Sequence, residues 1–370
     1  MAADQPFQGR IARTIQSSEP WWEEPTGPPP GTPNVVYVVL DDVGFADLGC
    51  YGSELDTPTF DRLAAGGLQY TNFHTTTLCS PTRASLLTGR NHHSVGMRML
   101  SNLDTGFPSG RGRISHRAAT VAEILLDAGF STMCVGKWHL APSEHTSAAG
   151  PFDQWPLGRG FERYYGFLGA ETDSFYPELT ADNHHIDPPA RPEDGYHLST
   201  DLVDHAIDFV RDQTSVTPDK PFFLYLAFGA AHAPHQAPPE WIARFKGKFD
   251  QGWDKLREES LARQKAAGIV PKNTVLTPRP ESIPAWSSLS EDQRRAYSHM
   301  MEVFAAMLAY QDNQVGTVLG ELQRMGQLDN TLVIFIEGDN GGSPEGDVTG
   351  SMNELGTLAN GMKEDTAWLL

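Results

Sequence analysis

Cysteine is scarce in this 370-residue chain: Cys50, Cys79 and Cys134 are the only three. An odd, sparse set offers no disulfide framework, and no CxxC pair or Cys/His spacing suits zinc. Positive charge is scarce as well. Lys and Arg number 28 against 47 Asp and Glu, a formal net charge of −19. That balance argues against nucleic acid as a partner and provides no basic surface for anionic lipid. An anionic substrate must then be held by a local cluster of cations or by a metal. Long apolar runs are missing too. No stretch could span a membrane, and the opening "MAADQPFQGRIARTIQSSEPWWEEPTGPPPG" lacks the apolar core of a signal peptide. A cytoplasmic location is the expectation, although an export signal lying outside this sequence would leave the same trace.

What is present is an alternation of strand and helix patterns. Residues 1–33, rich in Pro, Gly and Glu, read as an extended arm in which Trp21 and Trp22 pack onto the domain. "NVVYVVL" (34–40), "STMCVGKW" (131–138), "PFFLYLAF" (221–228) and "TLVIFI" (331–336) are continuous apolar runs of the kind buried on both faces of a sheet. Between them lie helix patterns. One starts at Thr57–Pro58 and stops at Gly66. Another sets Val121, Ile124, Leu125 and Ala128 on one face and closes at Gly129. A third is "STDLVDHAIDFVRD", and the longest covers 297–325. Along that last helix Met301, Phe304, Leu308, Val315, Val318 and Leu322 keep one stripe apolar, interrupted by Gln311. Residues 158–189 read as a long surface loop and 238–295 as a polar, irregular insertion, both near the site. There is no internal repeat. The pattern predicts an α/β fold, a mostly parallel sheet with helices on both faces.

The polar residues cluster at strand ends. Asp41 and Asp42 follow the first run; Lys137 and His139 close the second. His232 and His235 follow the third, and Asp339 and Asn340 the fourth. In open α/β sheets ligands bind beyond the carboxyl ends of the strands. Taken singly, each residue has an ordinary explanation. Asp after a strand serves as a turn or helix cap, and a histidine there serves as hydrogen-bonded structure. Four strand ends delivering three carboxylates, an amide, a lysine and imidazoles to one rim point to a site. Oxygen donors alone suit a hard cation, Ca²⁺ or Mg²⁺, rather than zinc.

The stretch "CSPTRASLLTGR" (79–90) raises a separate question, since a lone cysteine at a helix mouth is ordinarily a small apolar residue. This stretch resembles the sulfatase signature, in which Cys or Ser, any residue, Pro, a small residue and Arg precede a helix ending Thr-Gly-Arg. "VLDDVGFADLGCYG", "GKWHL", "AFGAAHAPHQAP" and "GDNGGSPEG" resemble the other sulfatase blocks in the family's order, from Asn34 to about Glu354. "GAETDSFYPEL" makes the chain most similar to the larger bacterial arylsulfatases. The resemblance implies an alkaline-phosphatase-like core and hydrolysis of small-molecule sulfate esters, aryl sulfates among them.

The resemblance further implies that a formylglycine-generating enzyme, a transient partner, oxidises Cys79 to Cα-formylglycine, whose hydrated aldehyde is the nucleophile. Pro81 and Arg83 belong to the sequence that enzyme reads, and Arg83 also orients the nucleophile. Asp41, Asp42, Asp339 and Asn340 match the metal ligands, with modified Cys79 completing the shell and Ca²⁺ the expected ion, Mg²⁺ the alternative. Lys137 and His232 match residues on the sulfate oxygens. His232 also protonates the leaving oxygen, Asp339 takes the proton of the attacking hydroxyl, and His139 that of the second. Arg90 reads as a helix-end residue paired to a carboxylate, His92 and His93 as solvated or packing residues, and Cys50 and Cys134 as buried thiols. The family's second active-site lysine and smaller C-terminal part have no counterpart after Asn340. Lys363 lies in unmatched surroundings, so a catalytic domain (34–370) truncated at its C-terminus is expected. Two alternatives stay open: a phosphodiester or phosphonate monoester hydrolase of the same superfamily, and a non-catalytic remnant.

Overall fold

A computed structural model describes residues 6–22, 27–338, 340–342, 350–351, 356, 360–362, 364 and 366. Among them seven strands form one sheet: β1 (Asn34–Val39), β2 (Ser131–Lys137), β3 (Arg163–Phe167), β4 (Leu179–Ala181), β5 (His184–Ile186), β6 (Phe222–Ala227) and β7 (Thr331–Ile336). Their order is β5-β4-β3-β2-β6-β1-β7, with the five from β3 to β7 parallel and β4 and β5 antiparallel at one edge. The helices are α1 (Pro58–Gly66), α2 (Cys79–Thr88), α3 (Val121–Asp127), α4 (Leu198–Val216), α5 (Pro239–Ile242), α6 (Gly252–Ala267) and α7 (Glu291–Arg324).

The period-2 alternation of the strands splits the core into two layers. Val36, Val38, Met133, Val135, Leu224 and Leu226 face one side and pack with Phe60 of α1, Leu202 and Ala206 of α4, and Leu308 and Val315 of α7. Val39, Cys134, Phe223, Tyr225 and Ala227 face the other, against Ala84 and Leu87 of α2 and Ala122 of α3. Helices therefore cover both faces, as the sequence predicts. Gly136 is required at the tightest point: its φ is +104° and a Cβ there would lie 1.9 Å from the carbonyl oxygen of Ala227. Asp312, buried within α7, reaches across to α1. Its Oδ1 accepts from the amides of Thr59 (3.0 Å) and Phe60 (2.8 Å), so one helix caps another.

Several expectations need correction. Residues 158–189 carry β3, β4 and β5, because a two-residue Asp182–Asn183 turn joins β4 to β5, with Asp182 at φ +51°. The insertion holds α6, a 16-residue helix with few buried residues. α7 begins at Glu291, where Ser290 and Gln293 form a capping box. Ile124 is exposed and Ala128 as well, so α3 turns Ala122 inward instead. Cys50 is half-buried while Cys134 is buried. Trp22 is 75% exposed, and Trp21 meets Phe7 edge-on within the N-terminal segment. Among the described residues no helix is long and apolar enough to cross a membrane.

Candidate active site

The carboxyl ends of β1, β2 and β6 and the N-terminus of α2 meet at one rim. Asp41 leaves β1 with its amide donating to the carbonyl of Ala230 (3.0 Å), while the amide of Ala231 donates to the carbonyl of Asp41 (2.7 Å). These bonds tie the end of β1 to the turn after β6. Asp42 and His139 sit at φ +51° and +49°, left-handed conformations that non-glycine residues rarely hold, and both belong to this rim.

Asp41 is nearly fully buried. The ammonium of Lys137, itself wholly buried, donates to its Oδ2, and Nη2 of Arg83 lies 3.4 Å from its Oδ1. Burial works against ionisation, but Lys137 and Arg83 overcome it and hold the Asp41 carboxyl well below the usual range. Arg83 also donates through Nη1 to the carbonyl of Lys137 (2.9 Å), locking α2 to the end of β2. Asp42 has no such pair of cations. Burial, then the charge of Asp41, push its carboxyl up, and its Oδ1 accepts from the side-chain amide of Asn340 (3.0 Å).

Cys79 opens α2, and its Sγ lies 3.1 Å from Nδ1 of His139. Ser80 holds the imidazole's backbone by donating to the carbonyl of His139 (2.8 Å). Burial, then Lys137 and Arg83, press His139 well below its ordinary value, so the ring is neutral. Burial also raises the Cys79 thiol, with Lys137 pulling the other way. The pair is thus thiol and imidazole rather than an ion pair. On the far side, His232 directs Nε2 toward Asp42 Oδ2 (3.6 Å) and Nδ1 to the carbonyl of Ala233 (2.6 Å).

The structure thus brings together Asp41, Asp42, Cys79, Arg83, Lys137, His139, His232 and Asn340. Asp339 and Lys363 lie outside the described residues. Lys137, expected on sulfate oxygens, donates to Asp41 at this rim. His235 packs its ring on Phe304, 5.4 Å between centroids, and His92 binds the carbonyl of Met97 at 2.8 Å. Arg90 is exposed, and among the described residues no carboxylate pairs with it. Sequence reading missed Glu171, 3.8 Å from Nδ1 of His232, and Tyr225, buried beside Arg83. A tyrosine in a buried strand reads as core and a glutamate in a loop as solvated, so neither carried a signal.

The sulfatase family model matches residues 33–368. The chain belongs to the sulfatase family. It is 34% identical over 340 residues to an uncharacterized sulfatase of Schizosaccharomyces pombe, covering 88% of this chain and 60% of that one. With an arylsulfatase of Klebsiella aerogenes the identity is 33% over 327 residues, 84% and 67% of the two chains. The crystal structure of Ps i-CgsB in complex with a neocarrahexaose superposes with a TM-score of 0.60 at 25% identity, over 86% of this chain and 63% of that one. This sulfatase-family chain therefore spans about 60–67% of the length of these relatives. The shared alkaline-phosphatase-like fold accounts for the mostly parallel sheet.

The family's divalent cation can be tested against the residues themselves. Two adjacent carboxylates, 4% and 11% exposed, lie beside an amide at a single rim. One is neutralised by lysine and arginine; the other is raised by burial and by its neighbour. Two carboxylates and an amide at one rim are oxygen donors of the kind a hard cation takes. Among the described residues the oxygen donors at this rim are Asp41, Asp42 and Asn340. No three His, Cys, Asp or Glu side chains among the described residues converge as a ligand set.

Proposed function

We propose that this chain carries the nucleophile, cation site and proton-transfer residues of a sulfate-ester hydrolase acting on aryl sulfates. The observation that carries the reading is Cys79, held at the mouth of α2 against the neutral imidazole of His139, on the same rim as the Asp41–Asp42 pair. Similarity to the Klebsiella aerogenes arylsulfatase supports the substrate class.

With its thiol raised by burial, Cys79 holds little thiolate at neutral pH and is a weak nucleophile as it stands. Oxidised to Cα-formylglycine by a formylglycine-generating enzyme, residue 79 supplies a hydroxyl nucleophile on hydration. Asp41, Asp42 and Asn340, with Asp339 as the family motif implies, would hold a Ca²⁺ or Mg²⁺ ion, which when bound would supply positive charge for the sulfate oxygens and for the attacking oxygen. The chain's own residues then divide the proton traffic. Nδ1 of His139, beside the reacting end of residue 79, accepts a proton from it. Nε2 of His232, across the rim next to Asp42, donates a proton to the leaving oxygen. Lys137 and Arg83, both buried against Asp41, bring two positive charges to the rim, with Lys137 the group for the sulfate oxygens.

The test uses protein co-produced with the oxidising enzyme and supplied with Ca²⁺ or Mg²⁺. Turnover of nitrophenyl sulfate is compared with that of an aryl phosphodiester and an aryl phosphonate, and the Cys79→Ala variant serves as control. The expected outcome is preference for the sulfate and loss of activity in Cys79→Ala. A ratio favouring phosphorus moves the chain to phosphodiester or phosphonate hydrolysis. Absence of any turnover, with residue 79 modified, makes it a non-catalytic member.

A further inference from the structure

Glu171 lies in the segment after β3, and its Oε2 is 3.8 Å from Nδ1 of His232. Two hydrogen-bonded links lock that segment to the segment carrying His232. Gln236, four residues beyond His232, donates from its side-chain nitrogen to Asp173 Oδ2 (2.8 Å) and accepts at its side-chain oxygen from the amide of Ser174 (2.6 Å). The position of Glu171 relative to the imidazole is therefore set by structure on both sides. Glu171 and His232 also share the wall of a cavity of about 10 Å³, lined as well by Thr172, Ser174, Ser199 and Met307. That is room for about one water molecule.

The contact lies on the opposite edge of the ring from the one facing Asp42. Nδ1 is held by the carbonyl of Ala233, the residue next to His232 in the chain, so that bond travels with the histidine and does not fix it against the fold. Glu171 comes from a different segment and supplies a reference at the Nδ1 edge, as Asp42 does at the Nε2 edge. We propose that Glu171 is a positioning residue that holds the His232 ring with Nε2 turned toward the Asp41–Asp42 rim. The inference rests on the reading of His232 as the group that protonates the leaving oxygen. In that step the hydroxyl oxygen of modified residue 79 bonds to sulfur as the bond from sulfur to the leaving oxygen breaks, the leaving oxygen takes the proton from Nε2, and the N–H electron pair stays on the ring.

An acid that is out of place matters most where the leaving oxygen needs the proton most. In Glu171→Leu, kcat/KM should fall about 10–100-fold on an alkyl or unsubstituted phenyl sulfate, and no more than about 3-fold on a nitrocatechol sulfate. Glu171→Gln, which keeps an acceptor of the same reach, should stay within about 3-fold of wild type on both. Equal losses on both substrates in Glu171→Leu, or no loss on either, would overturn the proposal. A crystal structure of Glu171→Leu supplies the readout that does not depend on turnover. The ring is expected to rotate so that Nε2 leaves the neighbourhood of Asp42, and to remain in place in Glu171→Gln. An unmoved ring in Glu171→Leu overturns the inference. Should the wild-type protein hydrolyse no sulfate ester, the functional reading fails, while the ring position still decides the role of Glu171.

Discussion

Replacing Lys137 with methionine keeps the buried volume and removes the ammonium that donates to Asp41. The Asp41 carboxylate, 5% exposed, then retains only Arg83 at 3.4 Å. Removing one partner of a buried ion pair costs about 3–5 kcal/mol, and the surviving arginine points to the lower end, about 3 kcal/mol. For a chain of 370 residues the unfolding entropy is about 0.8 kcal/mol per kelvin, so Tm should drop by about 4 °C. Calcium sharpens the prediction. At a hundredfold excess over Kd it should stabilise wild type by about 2.7 kcal/mol, or about 3 °C. Because the ion would itself offset Asp41, the Lys137→Met deficit should shrink when calcium saturates the site. Differential scanning calorimetry with calcium and with chelator gives the four numbers needed. Lys220→Met is the control: its ion pair with Glu162 is 4.0 Å long and solvent-exposed, so its removal should change stability by less than about 0.5 kcal/mol. A Lys137→Met deficit that is absent, or unchanged by saturating calcium, would refute the placing of the cation at Asp41.

Other consequences concern the scaffold. Burial holds His197 down at about 4, against an ordinary 6.5, so the unfolded chain binds more protons between those values. Stability should therefore fall by up to roughly 3 kcal/mol as pH drops from about 6.5 to about 4, and level off below. His197→Asn, which keeps a cap for the amide of Ser199 at the start of α4, should remove that slope in urea titrations across the window; an unchanged slope counts against the assignment. Gly136→Ala should cost at least about 3 kcal/mol or yield insoluble protein, whereas Gly27→Ala, with open space around it, should be neutral in the same melt. Asp312→Ala strips the cap from α1 and leaves two buried amides unpaired, an expected loss of about 1–3 kcal/mol by chemical denaturation, and equality with wild type would contradict the cap.

How much of this was legible beforehand depended on the kind of signal. The four long strands read correctly because each is a continuous apolar run; β2 and β6 are buried on both faces, whereas β7 lies at the sheet edge with Leu332 exposed. Their polar terminal residues then marked the rim. β4 and β5 escaped because three-residue strands show no period, although Asp182–Asn183 with short runs on either side was an available hairpin signal. α6 escaped because "GWDKLREESLARQKAA" has helix-forming residues without an apolar face. At the site, motif residues were legible one by one. The engagement of Lys137 with Asp41 was not, since it depends on how far β1 and β2 lie from each other across β6. Glu171 was invisible for a related reason: it meets His232 across 61 residues of sequence, where Gln236 ties the two segments together.

Residue 79 is the group on which turnover depends most directly. Preparations made with increasing amounts of the oxidising enzyme would contain increasing fractions of aldehyde at that position, measurable by mass spectrometry of its peptide. The decisive measurement is the rate of nitrophenyl sulfate hydrolysis, at saturating calcium, against that fraction. The expected result is a straight line through the origin, with no activity where Cys79 remains a thiol. A rate independent of the modified fraction, or no rate at full conversion, would contradict it.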